Sequence, residues 1–279
     1  MNQITEDTFE QTLKSFISSE EIDLRDVSFI DPYGMLALLE IGELCMLEDV
    51  KKTVILPRTD EVRTYLERMD FFTYASKYFS LEGFMAPSKK YPRSPDSDVL
   101  LEITPIEKSN DIHFIVGKVR ERAQAILETH LHYDERAVNG FIVALSEVCQ
   151  NIIEHSENRG FVGIQKYRFP SLGRNIVKIA VMDVGIGFRK SLSGRFKLRS
   201  DFEAIDKALL HGASRYEDEG RGHGLAAVRR FVEQWQGKIS IRTGTAKLSI
   251  LPQWARGAAK EMNLIAFPGS QINIMLPEV

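Results

Sequence analysis

Ala144 to Ser156 reads ALSEVCQNIIEHS. Glu147, Asn151 and His155 recur every fourth residue, so at 3.6 residues per turn they form one polar stripe along a helix. Ile142, Val143, Leu145, Val148, Ile152 and Ile153 make the rest of that helix apolar. A polar stripe on so apolar a helix must face something polar. Solvent, satisfied hydrogen bonds at a core edge and a polar ligand all meet that condition, and the stripe alone does not choose among them.

Two later stretches bear on the choice. Val181 to Phe188 reads VMDVGIGF. Its apolar start is a strand that ends in Asp183, whose carboxylate can accept a hydrogen bond from an exocyclic amine. Gly185 and Gly187 follow, where backbone can approach a ligand closely or take positive φ. By itself this is also an ordinary glycine-rich turn. Gly220 to Val232 reads GRGHGLAAVRRFV. Gly220, Gly222 and Gly224 alternate before a helix that starts near Leu225, which offers backbone N–H groups and a positive helix end to a phosphate. A dinucleotide-binding reading fails, because Tyr216 to Glu219 is no hydrophobic strand.

In this order and spacing the three stretches resemble the GHKL ATP-binding domain of gyrase-type topoisomerases, MutL-type repair proteins, sensor histidine kinases and anti-sigma-factor kinases. The resemblance spans Val99 to Pro277. It implies that Asn151 ligates Mg²⁺ and that Asp183 reads adenine. It also implies that Gly185 and Gly187 line the nucleotide and that Gly220, Gly222, His223, Gly224 and Leu225 surround the phosphates. Phe188 to Glu219 resembles the ATP lid. Its cations Arg189, Lys190, Arg195, Lys197 and Arg199 are either solvated or close over phosphate.

Glu147, one turn before Asn151, is placed to act as general base on a water or serine hydroxyl. The E-x3-N-x3-H pattern is similar to the anti-sigma serine-kinase branch. His155 reads equally as a partner of the site, a helix-end cap or a surface residue. A histidine autokinase needs an exposed histidine on an upstream helix, and the first histidine, His113, already falls in the first GHKL helix. A MutL- or gyrase-like clamp needs a further domain after the pocket, and the sequence ends at Val279, so that reading is also set aside.

Ile22 to Ile41, IDLRDVSFIDPYGMLALLEI, resembles the STAS fold of anti-sigma-factor antagonists over Glu21 to Met69. That family carries a phosphorylatable serine or threonine between the Asp and Gly of the turn. Here Pro32 and Tyr33 stand there, and Ser28 on the strand is a poor substitute. Asp31 still caps the next helix, with Pro32 in its first turn.

The remaining elements follow from periodicity. In the first part these are a strand over 21–29, a helix over 34–47, a strand over 52–56 and a helix over 59–69. In the second part come a strand at 99–103, helices over 112–128 and 134–155, and strands at 161–169 and 175–182. An irregular stretch over 188–221, a helix over 225–236, and short strands at 238–242, 247–251 and 271–276 complete it. The expected fold is α/β. An N-terminal STAS-like regulatory or docking layer, 1–85, is joined by a proline-rich linker, 86–97, to a C-terminal GHKL (Bergerat) α/β sandwich with a mixed sheet, 98–279.

The 279 residues are 43% hydrophobic and 27% charged, enough for real cores, and the net charge of −3 disfavours generic nucleic-acid binding. Cys45 and Cys149 lack metal or disulfide spacing and read as buried thiols. No apolar run suits a membrane span and the start is polar, so a cytoplasmic protein is expected. The resemblances imply a Mg·ATP-binding regulator with slow ATPase or serine-kinase activity. Its implied partners are a sigma factor, a STAS-type regulator or another signalling protein, and a homodimer is allowed. The alternative is a nucleotide-gated interaction module with little or no turnover.

Overall fold

The computed structural model describes residues 2–83, 98–123, 133–170, 172–214 and 224–278. The expected linker lies outside them. The N-terminal part runs β1 (Gln3–Ile4), a 3-10 turn, α1 (Phe9–Phe16), β2 (Glu21–Asp23), β3 (Phe29–Ile30), α2 (Pro32–Leu47), β4 (Thr53–Ile55), α3 (Asp60–Arg68), α4 (Phe71–Tyr78) and β5 (Ser80–Glu82). The second part begins β6 (Val99–Ile106), α5 (Ser109–Ala123), α6 (Glu135–Asn151), β7 (Gly160–Phe169) and β8 (Arg174–Asp183). It continues α7 (Gly187–Leu192), α8 (Asp201–His211), α9 (Gly224–Gln234), β9 (Lys238–Ile250) and β10 (Lys260–Pro277).

The α/β class holds. Strands β2, β4 and β5 form a small parallel sheet in the order β2-β4-β5, and β1 pairs with β3 in parallel. The large sheet has the order β6-β7-β8-β10-β9, and its pairings are antiparallel throughout. The mixed sheet expected there is therefore an antiparallel one among the described residues. The reason is connectivity: β7 runs into β8 and β9 into β10 with no helix between, and a short loop without a crossover returns the chain antiparallel.

Three stretches differ from their sequence reading. The strand expected over 21–29 breaks after Asp23, whose carboxylate accepts from Arg25 N at 3.0 Å and turns the chain before β3. The irregular stretch contains α7 and α8. Helix α8 is capped by Ser200, whose hydroxyl accepts from Glu203 N at 3.1 Å, and ends on Gly212 at φ +66°. It buries Ala204, Ile205, Ala208 and Leu209, so its start, stop and apolar spacing were all in the sequence. The short strands of the tail are pieces of one long ladder, β9 with β10.

One face of the large sheet, with Val162, Ile164, Val181, Ile241 and Ile272, packs on α5, α6 and α9. The other face is covered by the N-terminal part. Helix α2 lies across β7 and β8, and Phe161, Ala180, Met182 and Val184 join the N-terminal core. This explains why α2 is apolar on nearly every side: it is a central helix. Asp31 caps it, accepting from Gly34 N at 2.9 Å, and also pairs with Lys178 of β8 at 2.9 Å. Beside α2, the same face of β9 and β10 is polar. There Lys238 meets Glu6 at 2.8 Å, Arg242 meets Glu10 at 2.7 Å, and Asn273 donates to Glu6.

Cys149 is buried, which pushes its thiol up to about 12, whereas Cys45, near the end of α2, is only half-buried. Among the described residues no helix is long and apolar enough to cross a membrane.

Candidate functional site

Helix α6 starts on Asp134, whose carboxylate accepts from Ala137 N at 2.8 Å. Its last turn, Ile152–Ser156, is π-helical and stops on Glu157 at φ +59°. Despite that change of pitch, Glu147, Asn151 and His155 all line one solvent-open cleft. The polar stripe faces this cleft.

Asp183 stands across the cleft, at the end of β8, and is 2% exposed. Its Oδ1 accepts from Gly185 N at 2.8 Å, and its Oδ2 accepts from the Ser270 hydroxyl. Burial pushes this carboxyl up, and hydrogen bonds from Ser270, Gly185 and Ser156 hold part of the rise back. The carboxylate is the form that accepts from a ligand amine, so binding through Asp183 weakens as pH falls through its pKa. Ser270→Ala removes a donor to that form and raises the pKa further. The acid limb of a nucleotide affinity profile is therefore expected to move to higher pH in this variant, and an unmoved limb would show that Ser270 does not tune Asp183.

Gly187 lies in the cleft wall at φ +70°, and a Cβ there would meet Thr243 Oγ1 at 2.7 Å. Gly185 is not in the wall. It sits behind Asp183, where a Cβ would come within 2.1 Å of Ser156 O, so its role is to let the strand end fold back on α6. Gly224 and Leu225 open α9 and line the cleft. Gly220, Gly222 and His223 lie outside the described residues.

Glu147 and Gly224 are brought into direct contact. A Cβ at 224 would stand 2.4 Å from Glu147 Oε2, so a side chain there would push this carboxylate aside. Burial, and then the charge of Glu154, push the Glu147 carboxyl up, which makes it a stronger base. Asn151 donates its amide nitrogen to Glu147 O at 2.8 Å. A carbonyl only accepts, so the amide oxygen is the atom left for a cation. Among the described residues no group of three His, Cys, Asp or Glu could hold a metal. One amide oxygen nevertheless suits Mg²⁺, which binds through few protein ligands and completes its shell with phosphates and water.

None of the five lid cations lines the cleft. Arg195 donates to Ser214 O at 2.8 Å and Arg189 to Leu198 O at 3.5 Å, which ties them to lid backbone.

Residues 138–267 match the family of histidine kinase-, DNA gyrase B-, and HSP90-like ATPases. The matched segment is shorter than the Val99 to Pro277 span of the sequence resemblance: β6 and α5 lie before it, and the end of β10 lies after it. The histidine kinase domain from Erythrobacter litoralis EL346 blue-light activated histidine kinase is similar at 12% identity, over 98% of this chain and 93% of that one, with a TM-score of 0.29. No curated protein matches the chain.

Sequence reasoning missed part of the cleft. Ser270 on β10 supports Asp183, and Thr243 on β9 donates to Gly269 O at 2.6 Å beside Gly187. Both come from strands distant in sequence, and nothing local marks them. Phe188, Leu192 and Ala208 supply an apolar wall from α7 and α8. Their helical spacing was legible, although their destination was not.

Proposed function

We propose that this chain is a Mg·ATP-binding regulatory protein with slow ATPase or protein serine-kinase activity, working by partner switching. The observation that carries this reading is the contact of Glu147 with Gly224 at the start of α9, across the cleft from a buried Asp183. A carboxylate next to the positive end of a helix, where phosphate would bind, and a buried amine acceptor on the far side, where an adenine would lie, support this reading. Asn151 Oδ1 would hold Mg²⁺, which supplies neutralisation of phosphate charge. Glu147 would take the proton of an attacking water or serine hydroxyl, and Phe188 and Leu192 would exclude bulk water.

The STAS-like half is then a permanently docked regulatory module. Pro32, Tyr33 and Gly34 are buried, with Gly34 packed on Ile4 of β1, which supports a structural rather than a phosphoacceptor role for that turn. The tie of Arg189 and Arg195 to lid backbone favours the second reading, a nucleotide-gated interaction module with little turnover.

Calorimetric titration with ATP, with and without Mg²⁺, tests the proposal. Asp183→Ala removes the base acceptor and is expected to weaken binding by about 1.5–3 kcal/mol, or roughly 10- to 150-fold. Wild-type affinity in that variant would exclude Asp183 as the adenine reader. γ-labelled ATP then separates release of phosphate from its transfer to protein. Strong labelling of the N-terminal half would overturn the docked-module reading.

A further inference from the structure

Arg159, just before β7, is held by the N-terminal half. Its guanidinium donates to Glu43 of α2 at 3.2 Å and to the Tyr78 hydroxyl of α4 at 2.7 Å, and it lies over the Tyr78 ring at 5.6 Å. The Tyr78 hydroxyl in turn donates to Glu43 at 3.4 Å. Glu43 and Tyr78 are 6% and 1% exposed, so both polar groups are taken from water and paired in one charge-assisted cluster. Glu107, after β6, stands 3.9 Å from the same guanidinium.

Arg159 also belongs to the short link, 157–159, between the π-helical end of α6 and β7. Both ends of this link are fastened to the Asp183 segment. At one end Ser156, which lines the cleft, accepts from Ile186 N at its carbonyl oxygen, 2.9 Å away. At the other end Gly160 pairs with Asp183 in the β7–β8 ladder. The backbones touch at both places, because a Cβ on Gly185 would collide with Ser156 O and one on Gly160 with Met182 O. Within the link, Arg159 N donates to Asn158 Oδ1 at 2.8 Å, and Asn158 N donates to the Ser156 hydroxyl at 3.2 Å. A link this short, clamped at both ends, leaves little slack: Arg159 cannot shift without moving the backbone on which Asp183 stands. Glu43 and Tyr78 do not line the cleft, so any effect they have on a ligand there must pass through such a contact.

We propose that Arg159 is a positioning residue that couples the N-terminal half to the base end of the nucleotide site: Glu43 and Tyr78 hold its guanidinium, and through Gly160 and Ser156 that hold fixes where Asp183 presents its carboxylate. This rests on the assignment of Asp183 as adenine acceptor. The coupling is reciprocal, so bound nucleotide steadies α4 as much as α4 favours nucleotide.

The test is ADP affinity, by calorimetry well below every Tm, for wild type, Glu43→Gln, Tyr78→Phe, Arg159→Ala and Arg159→Lys. Arg159→Ala is expected to lose about 5- to 150-fold, the usual range of coupling between sites. Glu43→Gln and Tyr78→Phe should lose affinity in the same direction, and Arg159→Lys, which keeps the charge, should recover part of the loss. A role in stability alone would lower Tm and leave ADP affinity unchanged. Hydrogen exchange gives the reciprocal readout: saturating ADP should slow exchange in α4 relative to β2 of the same half in wild type, and not in Arg159→Ala. Tyr78→Phe removes a single hydroxyl and keeps the test sound if a bolder variant folds poorly. Wild-type affinity in the Glu43 and Tyr78 variants, or an α4 response that is absent in wild type or survives in Arg159→Ala, overturns the role of Arg159 and leaves the nucleotide site standing. Absence of ADP binding to wild type sinks the nucleotide reading and this proposal with it.

Discussion

Glu147→Ala is expected to bind Mg·ATP at least as tightly as wild type and to lose turnover by roughly 10²- to 10⁴-fold, the usual contribution of a positioned general base. Its carboxylate lies against Gly224, at the end of α9 where the terminal phosphate would sit, and not against Asp183, where the base would sit. Removing it takes a negative charge away from the phosphates, so binding does not suffer. Asn151→Ala should do the reverse, because it deletes the amide oxygen that would hold the cation, while the tie of its amide nitrogen to Glu147 O is structural. In that variant Mg²⁺ should no longer strengthen ATP binding. The raised pKa of Glu147 also sets the sign of a pH profile. The base works only when deprotonated, so turnover should climb with pH through that pKa, and the climb should vanish with the carboxylate. Turnover in Glu147→Ala equal to wild type would end the general-base assignment.

Lys238→Met is expected to cost about 3–5 kcal/mol of stability, which urea unfolding would read directly. Lys238 and Glu6 are both buried and 2.8 Å apart, and they join the N-terminal segment to the first residue of β9. Without the lysine, Glu6 remains buried with Asn273 and, at 3.7 Å, Lys247. Burial pushes the Glu6 carboxyl up, yet Lys238 and Lys247 together hold it below its ordinary value. A lowered folded-state pKa means that this stabilisation is present above the unfolded pKa of 4.5 and is lost as pH falls through the folded value. The cost of Lys238→Met should therefore shrink in acid. Adding Glu6→Gln should recover much of it, since the penalty arises from a buried charge left with only Lys247 and Asn273. A loss below about 1 kcal/mol would mean that this pair does not seat the N-terminal half on the sheet.

These two variants also divide what was legible beforehand. Glu147, Asn151 and Asp183 were readable because short motifs carry their own geometry. Four-residue spacing puts side chains on one helix face, and an Asp followed by spaced glycines marks a strand end. Lys238, Glu6 and Glu10 carried no such signal, since a lone charge in a sequence looks the same whether it is solvated or buried. The apolar circumference of α2 was a usable clue, because a helix without a polar face must be covered on all sides. It pointed to burial without naming the sheet that does the burying. The lid was under-read for a different reason. Ser200, the apolar spacing of α8 and Gly212 spell out a helix, but the surrounding charges disguised it as loop.

The stripe of Glu147, Asn151 and His155 and the Asp183 turn were determined by sequence alone, because each depends on the pitch of a single element. The tertiary structure alone decided that Glu147 lies beside Gly224, that Ser270 supports Asp183, and that α2 covers the back of β8. Each of these joins residues far apart in the chain. Such contacts depend on how strands order themselves and which sheet face a helix covers, and local periodicity holds no record of either.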